Sequence, residues 1–232
     1  MSVQHNKYQF NFDRAIEVLK DETQNFVCYQ RELDLYQTIL KSFAGLEYIT
    51  ENEIGKTAQF YEVEFGGISE PSGLQYTMVW NVQQALELIK QENYVPVEYS
   101  IESYRNSFHD RYINKTHAQR YNSEPIIIAK GPHNEDVLID GNHRMYYAFS
   151  NNLKTIPAYV LTIEDSIKCI HTEELRTIFK IHKNLMEIAY KVDGLNTKKL
   201  SYSDYFENGK LFSLHKKLSS YLLSSFLLFF EI

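Results

Sequence analysis

Five consecutive residues, DGNHR at positions 140–144, place an acid, an amide, an imidazole and a guanidinium around one glycine. They follow the apolar run at 137–139 and precede the aromatic stretch at 145–149. A strand that passes directly into a helix exposes the unpaired N–H groups of the first helical turn, whose partial positive charge attracts anions. The pattern therefore predicts an anion-binding turn between a strand and a helix.

Each residue type in this turn suits one part of such a site. Gly141 permits φ angles that other residues resist and lets a ligand approach the backbone, while His143 and Arg144 can donate to a phosphate or carboxylate. Asp140 has the wrong charge to contact phosphate, so it could bind magnesium, fix His143 or Arg144, or accept a substrate proton. A structural interpretation stays open, in which Asp140 or Asn142 caps the helix and the other polar side chains are solvated.

The elements expected to position this turn form a compact α/β unit over residues 95–162. Apolar and β-branched runs predict four strands, and the residues after the turn predict an amphipathic helix. The expected order is strand, polar linker, strand, strand, helix, strand, which is typical of a small α/β unit. These elements are expected at 95–104, 125–130, 137–140, 145–153 and 155–161.

Residues 1–94 and 163–232 predict extensions on either side of this unit. In the first, a helix follows a possible cap at Asp13, a hairpin is expected from residue 59, and Asn81 is expected to cap a further helix. In the second, a helix beginning near Thr172 precedes an apolar run at 221–230. The expected buried faces are Ile16, Leu19, Leu33, Tyr36, Leu40 and Phe43, then Val82, Ala85, Leu86 and Ile89, and finally Leu175, Ile178, Phe179, His182, Met186 and Ala189.

Composition and charge limit the classes of function. A net charge of -6 disfavours a surface built for the phosphate backbone of DNA, although it is compatible with a local basic patch. Cys28 and Cys169 have no metal-binding spacing and no signal sequence opens the chain, which predicts a reducing, cytoplasmic environment. The run at 221–230 is shorter than the roughly 20 residues that a membrane-spanning helix needs, so no transmembrane segment is expected.

Two further patterns are weaker candidates for a site. Gly55-Lys56-Thr57 ends like a phosphate-binding loop, but Thr50 stands where that motif needs glycine. The histidines of the central unit, at 109, 117, 133 and 143, have no zinc-binding spacing. His182 lies on an apolar helical stripe, which is typical of a core histidine.

The sequence VLIDGNHRMYYAF, followed by LKTIPAYVL, resembles the ParB/sulfiredoxin superfamily. In that superfamily a strand ends in a Gly-x-x-Arg or DGxHR-type turn, a helix follows, and a strand with an apolar-Pro pair closes the unit. The resemblance covers residues 95–162, and it implies an α/β (α+β) fold with a small mixed sheet. It also implies that the turn binds nucleotide phosphate, although members differ in reaction and include DNA clamps, sulfinic-acid reductases, nucleases and free-amino-acid kinases.

The turn differs from those of two groups within this superfamily. Sulfiredoxins are similar but carry their reacting cysteine where this chain has Asn142, so sulfinic-acid reduction is not expected. Chromosome-partition ParB proteins have Gly-Glu-Arg-Arg here and a following helix-turn-helix domain, for which this chain shows no clear second recognition helix. DGNHR is more similar to the DGHxR turn of ParB-fold serine kinases and other phosphotransferases. Those kinases imply a carboxylate base near the end of the first strand, for which the candidates are Glu98 and the better placed Glu102 and Asp110.

The resemblance therefore implies phosphoryl transfer or hydrolysis with ATP or a related nucleotide and magnesium, acting on a small molecule or a protein. The implied phosphate-binding residues are Gly141, Asn142, His143 and Arg144. The implied catalytic residues are Asp140, His143, Glu102 and Asp110, with Asp140 also the implied metal ligand. Two other classes stay open: a nonenzymatic DNA-associated or partner-binding regulator with a nucleotide switch, and a ParB-like nuclease. The negative net charge counts against both DNA interpretations.

Overall fold

The structure, a computed structural model, describes residues 12–43, 58–64, 75–102, 104 and 124–194 of the 232-residue chain. These residues belong to two compact units. The first, called the helical unit, contains the described residues of Met1–Thr50, Glu62–Tyr76 and Thr177–Ile232, and the second, the α/β unit, contains those of Glu51–Tyr61 and Thr77–Arg176. The predicted domain boundaries at 94/95 and 162/163 both lie within the α/β unit. Several predicted features lie outside the described residues: Asp110, His109, His117, Gly55-Lys56-Thr57 and the run at 221–230.

Helices and strands follow one another in a mixed order. They are α1 (Asp13–Glu22), α2 (Val27–Ser42), β1 (Ala58–Glu64), β2 (Gln75–Asn81), α3 (Val82–Gln91), β3 (Val97–Ser100), β4 (Ile126–Lys130), β5 (Asp136–Asp140), α4 (Asn142–Ser150), β6 (Thr155–Val160), α5 (Ile163–Lys168) and α6 (Glu173–Gly194). Strands β1 and β2 form a two-stranded sheet, in the region where the sequence predicts a hairpin. Within the part of the chain that is described, no helix is long and apolar enough to cross a membrane.

The helical unit buries the apolar stripes expected from the sequence. Ile16 and Leu19 of α1 and Leu33 and Tyr36 of α2 are almost entirely buried. Asn184 on α6 donates from Nδ2 to the Tyr36 hydroxyl at 2.9 Å, so two buried polar groups satisfy one another. His182 is likewise fully buried, as expected for a core histidine, and its ring meets the Phe12 ring edge-on with centroids 6.0 Å apart.

Two helix details of the flanking segments differ from expectation. α1 begins at Asp13 itself, because Phe12 at the cap position already has nearly helical angles of -78° and -6°. On α3, Ala85 and Ile89 are buried as expected, but Leu86 is 36% exposed, since it lies at the margin of the apolar stripe. Asn81 caps α3 as predicted, and its side chain accepts from the Gln84 N–H at 3.0 Å.

The α/β unit contains a four-stranded mixed sheet with the strand order β3-β6-β4-β5. β4 runs parallel to β6, whereas β3 with β6 and β4 with β5 are antiparallel. The expected α/β class with a small mixed sheet is therefore confirmed. In β4, residues 126–129 are all fully buried, because a central strand is covered on both faces. The sheet packs with α4 into one apolar core that includes Ile126, Leu138, Met145, Ala148 and Ile156.

Several element boundaries in this unit differ from those predicted. β3 stops at Ser100 rather than residue 104, because the Ile101 N–H bonds to Lys154 O and Tyr104 N–H then turns back to Ile101 O. α4 spans Asn142–Ser150 rather than 145–153, because Asn152 takes a positive φ of 53° that ends the helix. Helix α5 is not predicted at all. The Thr162 side chain caps it by accepting from the Asp165 N–H at 3.2 Å.

Candidate functional site

The turn between β5 and α4 has the strand-to-helix form that the sequence predicts. β5 ends at Asp140, α4 begins at Asn142, and Gly141 occupies the cap position with φ 101° and ψ 22°. The Met145 N–H donates to the Gly141 carbonyl at 2.9 Å, which closes the first turn of the helix. Since glycine has no side chain, the cap residue offers no side-chain acceptor to the N–H groups of that turn.

Gly141 is also required by packing. A Cβ atom at this position would lie 2.4 Å from Cγ2 and 2.9 Å from Cβ of Ile126, a fully buried residue of β4. The same atom would lie 3.2 Å from Nε of Arg144. The space that a side chain at this position would need is therefore occupied by the chain's own Ile126 and Arg144. A positive φ and close packing both exclude other residues here.

Arg144 holds the turn to the start of β4. Its Nη1 donates to the carbonyl oxygens of Glu124 at 3.0 Å and Pro125 at 2.8 Å, and its Nη2 donates to Oδ2 of Asp140 at 2.6 Å. Its side chain is only 15% exposed, and the Glu124 carboxylate lies 3.9 Å away. A guanidinium has five N–H groups, and these bonds use three of them. The remaining two are Nε–H and one N–H of Nη2.

Among the roles considered for Asp140, the structure shows one directly: this carboxylate fixes Arg144. The pair lies four residues apart, one side chain on the last strand residue and the other on the first helical turn. The Asp140 side chain is 37% exposed, whereas the Arg144 side chain is only 15% exposed. The carboxylate is therefore on the more solvent-accessible side of the pair. The cap position belongs to Gly141, so neither Asp140 nor Asn142 caps α4.

A β-bulge sets the direction of Asp140. Ile127 pairs with Asp140 and Ile128 pairs with Leu138, so Ile139 is an extra residue on β5. A bulge of this kind bends its strand and changes the direction of the next side chain. Residues 137–139 are consequently all buried, and Asp140 is the first polar side chain to emerge. The alternation of a regular strand does not predict this arrangement.

The remaining predicted residues have less defined places. Asn142 and His143 are half-buried on the first turn of α4, beside Arg144 in sequence. Glu98 is exposed on β3, and Glu102 is exposed in the turn that follows β3. The structure therefore brings Gly141, Asp140 and Arg144 together. The contacts of Arg144 with the carbonyls of Glu124 and Pro125 could not be predicted from the sequence, because every residue has a backbone carbonyl.

Two tyrosines connect the segment that carries Glu102 to β5. The Tyr99 hydroxyl donates to Oδ2 of Asp136 at 2.7 Å, and the Tyr104 hydroxyl accepts from the Leu138 N–H at 3.0 Å. β3 and β5 are the two edge strands of the sheet, so the bond from Tyr99 joins its edges through side chains, and Tyr104 adds a second bond just after β3 ends. Glu102 lies between the two tyrosines along the chain. Its segment is thereby held to the strand that ends at Asp140.

Alkaline pH is expected to loosen this connection. Burial is the main cause that raises the pKa of Tyr99 above its usual value, with a further contribution from its hydrogen bond to Asp136, and burial also raises the pKa of Tyr104. A phenol whose pKa is raised on folding stabilises the folded state fully below the unfolded-state pKa of about 10, and this contribution is lost as pH rises above it. We expect the free energy of unfolding, measured by urea titration, to fall above about pH 10. Tyr99→Phe should show a shallower fall, and an unchanged slope would contradict this assignment.

Magnesium is the ion that the sequence predicts at Asp140. Across the described ranges, no group of three or more His, Cys, Asp or Glu side chains could hold a metal ion. Oδ2 of Asp140 is already bonded to Arg144, which leaves one carboxylate oxygen. Magnesium is often bound through one or two carboxylates together with substrate phosphates. Among the described residues, Asp140 would therefore fit a magnesium ion together with the phosphate oxygens of a nucleotide.

Comparison with known proteins adds no relative to this picture. The chain has no significant match among family models, curated proteins or solved structures. The function must therefore be argued from the turn and from the residues around it.

Proposed function

We propose that the turn formed by Asp140, Gly141 and the first residues of α4 binds the phosphate groups of a nucleotide. The observation that carries this proposal is a helix start with a glycine cap, beside a guanidinium that is fixed by three hydrogen bonds. The N–H groups of a first helical turn favour an anion, and the two remaining N–H groups of Arg144 add donors with a full positive charge.

The proposal includes the fold family of the α/β unit. The order of β4, β5, α4 and β6, with the polar turn between β5 and α4, agrees with what the ParB/sulfiredoxin resemblance implies. We therefore infer that the α/β unit is a ParB/sulfiredoxin-like nucleotide-binding core. The DGNHR turn favours the phosphotransferase branch of that superfamily over the sulfinic-acid reductases, because Asn142 cannot serve as a thiol nucleophile.

Phosphoryl transfer or hydrolysis is the reaction proposed for this site. Arg144 would neutralise phosphate charge and Asp140 would hold its guanidinium in place, which is the positioning that phosphoryl transfer mainly needs. His143 would donate to phosphate from the first helical turn. Glu102 or Asp110 would take the proton of the acceptor hydroxyl or water. The nucleotide would be ATP or a related one with its magnesium, and the acceptor a small molecule or a protein.

Nucleotide binding can be tested with two matched histidines. We expect ATP, ADP, CTP or GTP with magnesium to raise the melting temperature of the wild-type protein, since a ligand at 100 times its Kd stabilises by about 2.7 kcal/mol. His143→Ala should weaken the best nucleotide by roughly fivefold or more in calorimetric titration, because a donor to phosphate is lost. His133→Ala, in the turn between β4 and β5 at the far end of the hairpin, is the control and should bind normally.

The outcomes of this experiment separate the possible functions. If no nucleotide stabilises the wild type, or if both histidine variants bind equally well, the proposed site is wrong. Binding with release or transfer of phosphate supports an enzyme. Binding without turnover supports the nonenzymatic switch, and a salt-dependent gel shift then tests the DNA-associated form of it.

A further inference from the structure

A polar groove lies in the α/β unit away from the DGNHR residues. It has a volume of about 330 Å³ and is lined by Gln84, Glu87, Leu88, Gln91, Lys168, Cys169 and Arg176. One wall is a face of α3, and the other is formed by the end of α5 and the start of α6. Leu88 and the buried Cys169 make its apolar part, and burial raises the pKa of the Cys169 thiol to about 11, which keeps that thiol neutral.

Backbone hydrogen bonds join the two walls of this groove. The Asn81 N–H donates to Cys169 O and the His171 N–H donates to Val79 O, both at 2.8 Å. Trp80 lies between these bonds, forms a bridge with Ile170, and donates from its indole to Ser166 O at 3.1 Å. The start of α3 and the junction of α5 with α6 are thereby held together. The groove is formed by the fold itself, before any ligand is present.

The charged side chains that line the two walls differ in sign, with Glu87 on one wall and Lys168 and Arg176 on the other, and both walls carry unused hydrogen-bonding groups. Lys168 bonds to Asp165 at 2.7 Å, and Arg176 bonds through Nη1 to Glu173 and through Nε to Ile170 O. Nη2 of Arg176 and two N–H groups of Lys168 form no hydrogen bond with any described residue. On the facing wall, the one described donor to the Glu87 carboxylate is the Gln83 amide, at 3.1 Å. The side-chain amides of Gln84 and Gln91 make no hydrogen bond within the same described ranges.

We propose that this groove binds a small carboxylate that also carries an amine or hydroxyl group. Its carboxylate would lie between Lys168 and Arg176, its amine or hydroxyl would donate to Glu87, and its carbon chain would contact Leu88. The amides of Gln84 and Gln91 supply further donors and acceptors. A molecule with only one of the two polar ends would leave the opposite wall without a partner, so both ends contribute to selectivity.

Trp80 provides the readout, because it is the only tryptophan in the chain and its indole N–H bonds to Ser166 O of α5, whose end lines the groove. The full chain is titrated with 2-aminobutyrate, 4-aminobutyrate, 2-hydroxybutyrate, butyrate and sec-butylamine while the indole N–H resonance is followed. We expect at least one of the three bifunctional compounds to shift this resonance with a Kd at least about fivefold below that of butyrate and of sec-butylamine. The two aminobutyrates differ only in the separation of their charges, and therefore report the distance between the walls.

Two surface substitutions locate the ligand. Lys168→Met should weaken binding of the carboxylates, whereas Glu87→Gln should remove the preference for the aminobutyrates over butyrate. Lys90→Met and Glu17→Gln are exposed controls that do not line the groove, and they should bind like the wild type. The proposal is overturned if no compound shifts the indole resonance, if butyrate binds as tightly as the bifunctional compounds, or if the groove variants behave like the controls. None of these results depends on nucleotide binding.

Discussion

Gly141→Ala is expected to lower the free energy of unfolding by about 3 kcal/mol, which is a large share of the stability of a typical domain. Two causes add together. A φ of 101° is unfavourable for any residue with a Cβ, and the new Cβ would lie 2.4 Å from a methyl carbon of the buried Ile126. Neither the strand nor the helix can shift easily, because both belong to one packed core. Urea unfolding followed by circular dichroism measures the loss.

Gly131→Ala is the matched control for this substitution. Gly131 likewise lies in a turn, although this turn joins two strands. The atoms nearest to a new Cβ there belong to the end of the flexible Glu135 side chain. That carboxylate can move away, at the cost of its hydrogen bond from the His133 N–H, so a loss of about 1 kcal/mol is expected. Equal losses at Gly131 and Gly141 would show that glycine at 141 is not required by packing.

A double-variant cycle separates the two causes. Ile126→Ala removes the methyl carbon that the new Cβ would meet, and alone it should cost about 2–5 kcal/mol as a core truncation. The double variant Gly141→Ala with Ile126→Ala should lose less than the sum of the single variants, because the closest steric conflict is removed and only the 2.9 Å approach to the remaining Cβ and the strain at positive φ are left. Strict additivity would assign the effect to the backbone angle and that remaining approach, and not to the methyl carbon.

Arg144→Met is expected to lower the free energy of unfolding by about 2–4 kcal/mol. The substitution keeps most of the apolar stem but leaves the carbonyls of Glu124 and Pro125 without their donor and leaves the Asp140 carboxylate without its partner. The loss is expected mainly because partly buried acceptors are unpaired, rather than because one ion pair is removed. Chemical unfolding of the variant beside the wild type measures it.

Two further variants test that explanation. Asp140→Asn keeps an oxygen acceptor for Nη2 and should cost less than Arg144→Met, and combining the two should cost less than their sum, since no uncompensated carboxylate is left. Lys168→Met, which breaks an ion pair whose lysine is 56% exposed, is the control and should cost at most about 1 kcal/mol. If Arg144→Met costs no more than this control, Arg144 does not hold the turn.

The role of Arg144 in stability affects how its role in binding must be measured. A variant that is partly unfolded binds any ligand weakly, so nucleotide titrations of Arg144→Met are informative only at a temperature where circular dichroism shows it folded. His143 is a separate probe, because it lies half-buried on the first turn of α4 and the bonds from Arg144 to the Glu124 and Pro125 carbonyls do not involve it. The histidine comparison is therefore the more direct test of phosphate binding.

The sequence by itself determined the order of elements around the turn. Apolar runs predicted β4, β5 and β6, helical spacing predicted α4, and the Asp-Gly pair located the turn, because these signals depend on residues that are neighbours along the chain. The apolar stripes of α1, α2 and α6 and the Asn81 cap were readable for the same reason. Boundaries were less well predicted, since the end of β3 depends on a bond from Ile101 to Lys154 and the end of α4 on the backbone angle of Asn152.

Only the tertiary structure decided what the polar residues of the turn contact. That Arg144 bonds to carbonyls at the start of β4, that Ile126 occupies the open side of Gly141, and that a bulge at Ile139 directs Asp140 outward all depend on strands distant in sequence. The same holds for the groove, whose two walls meet through backbone bonds at Asn81 and His171. Local patterns specify which groups a segment offers, whereas the packing of distant segments determines which of those groups are used within the fold and which are left for a ligand.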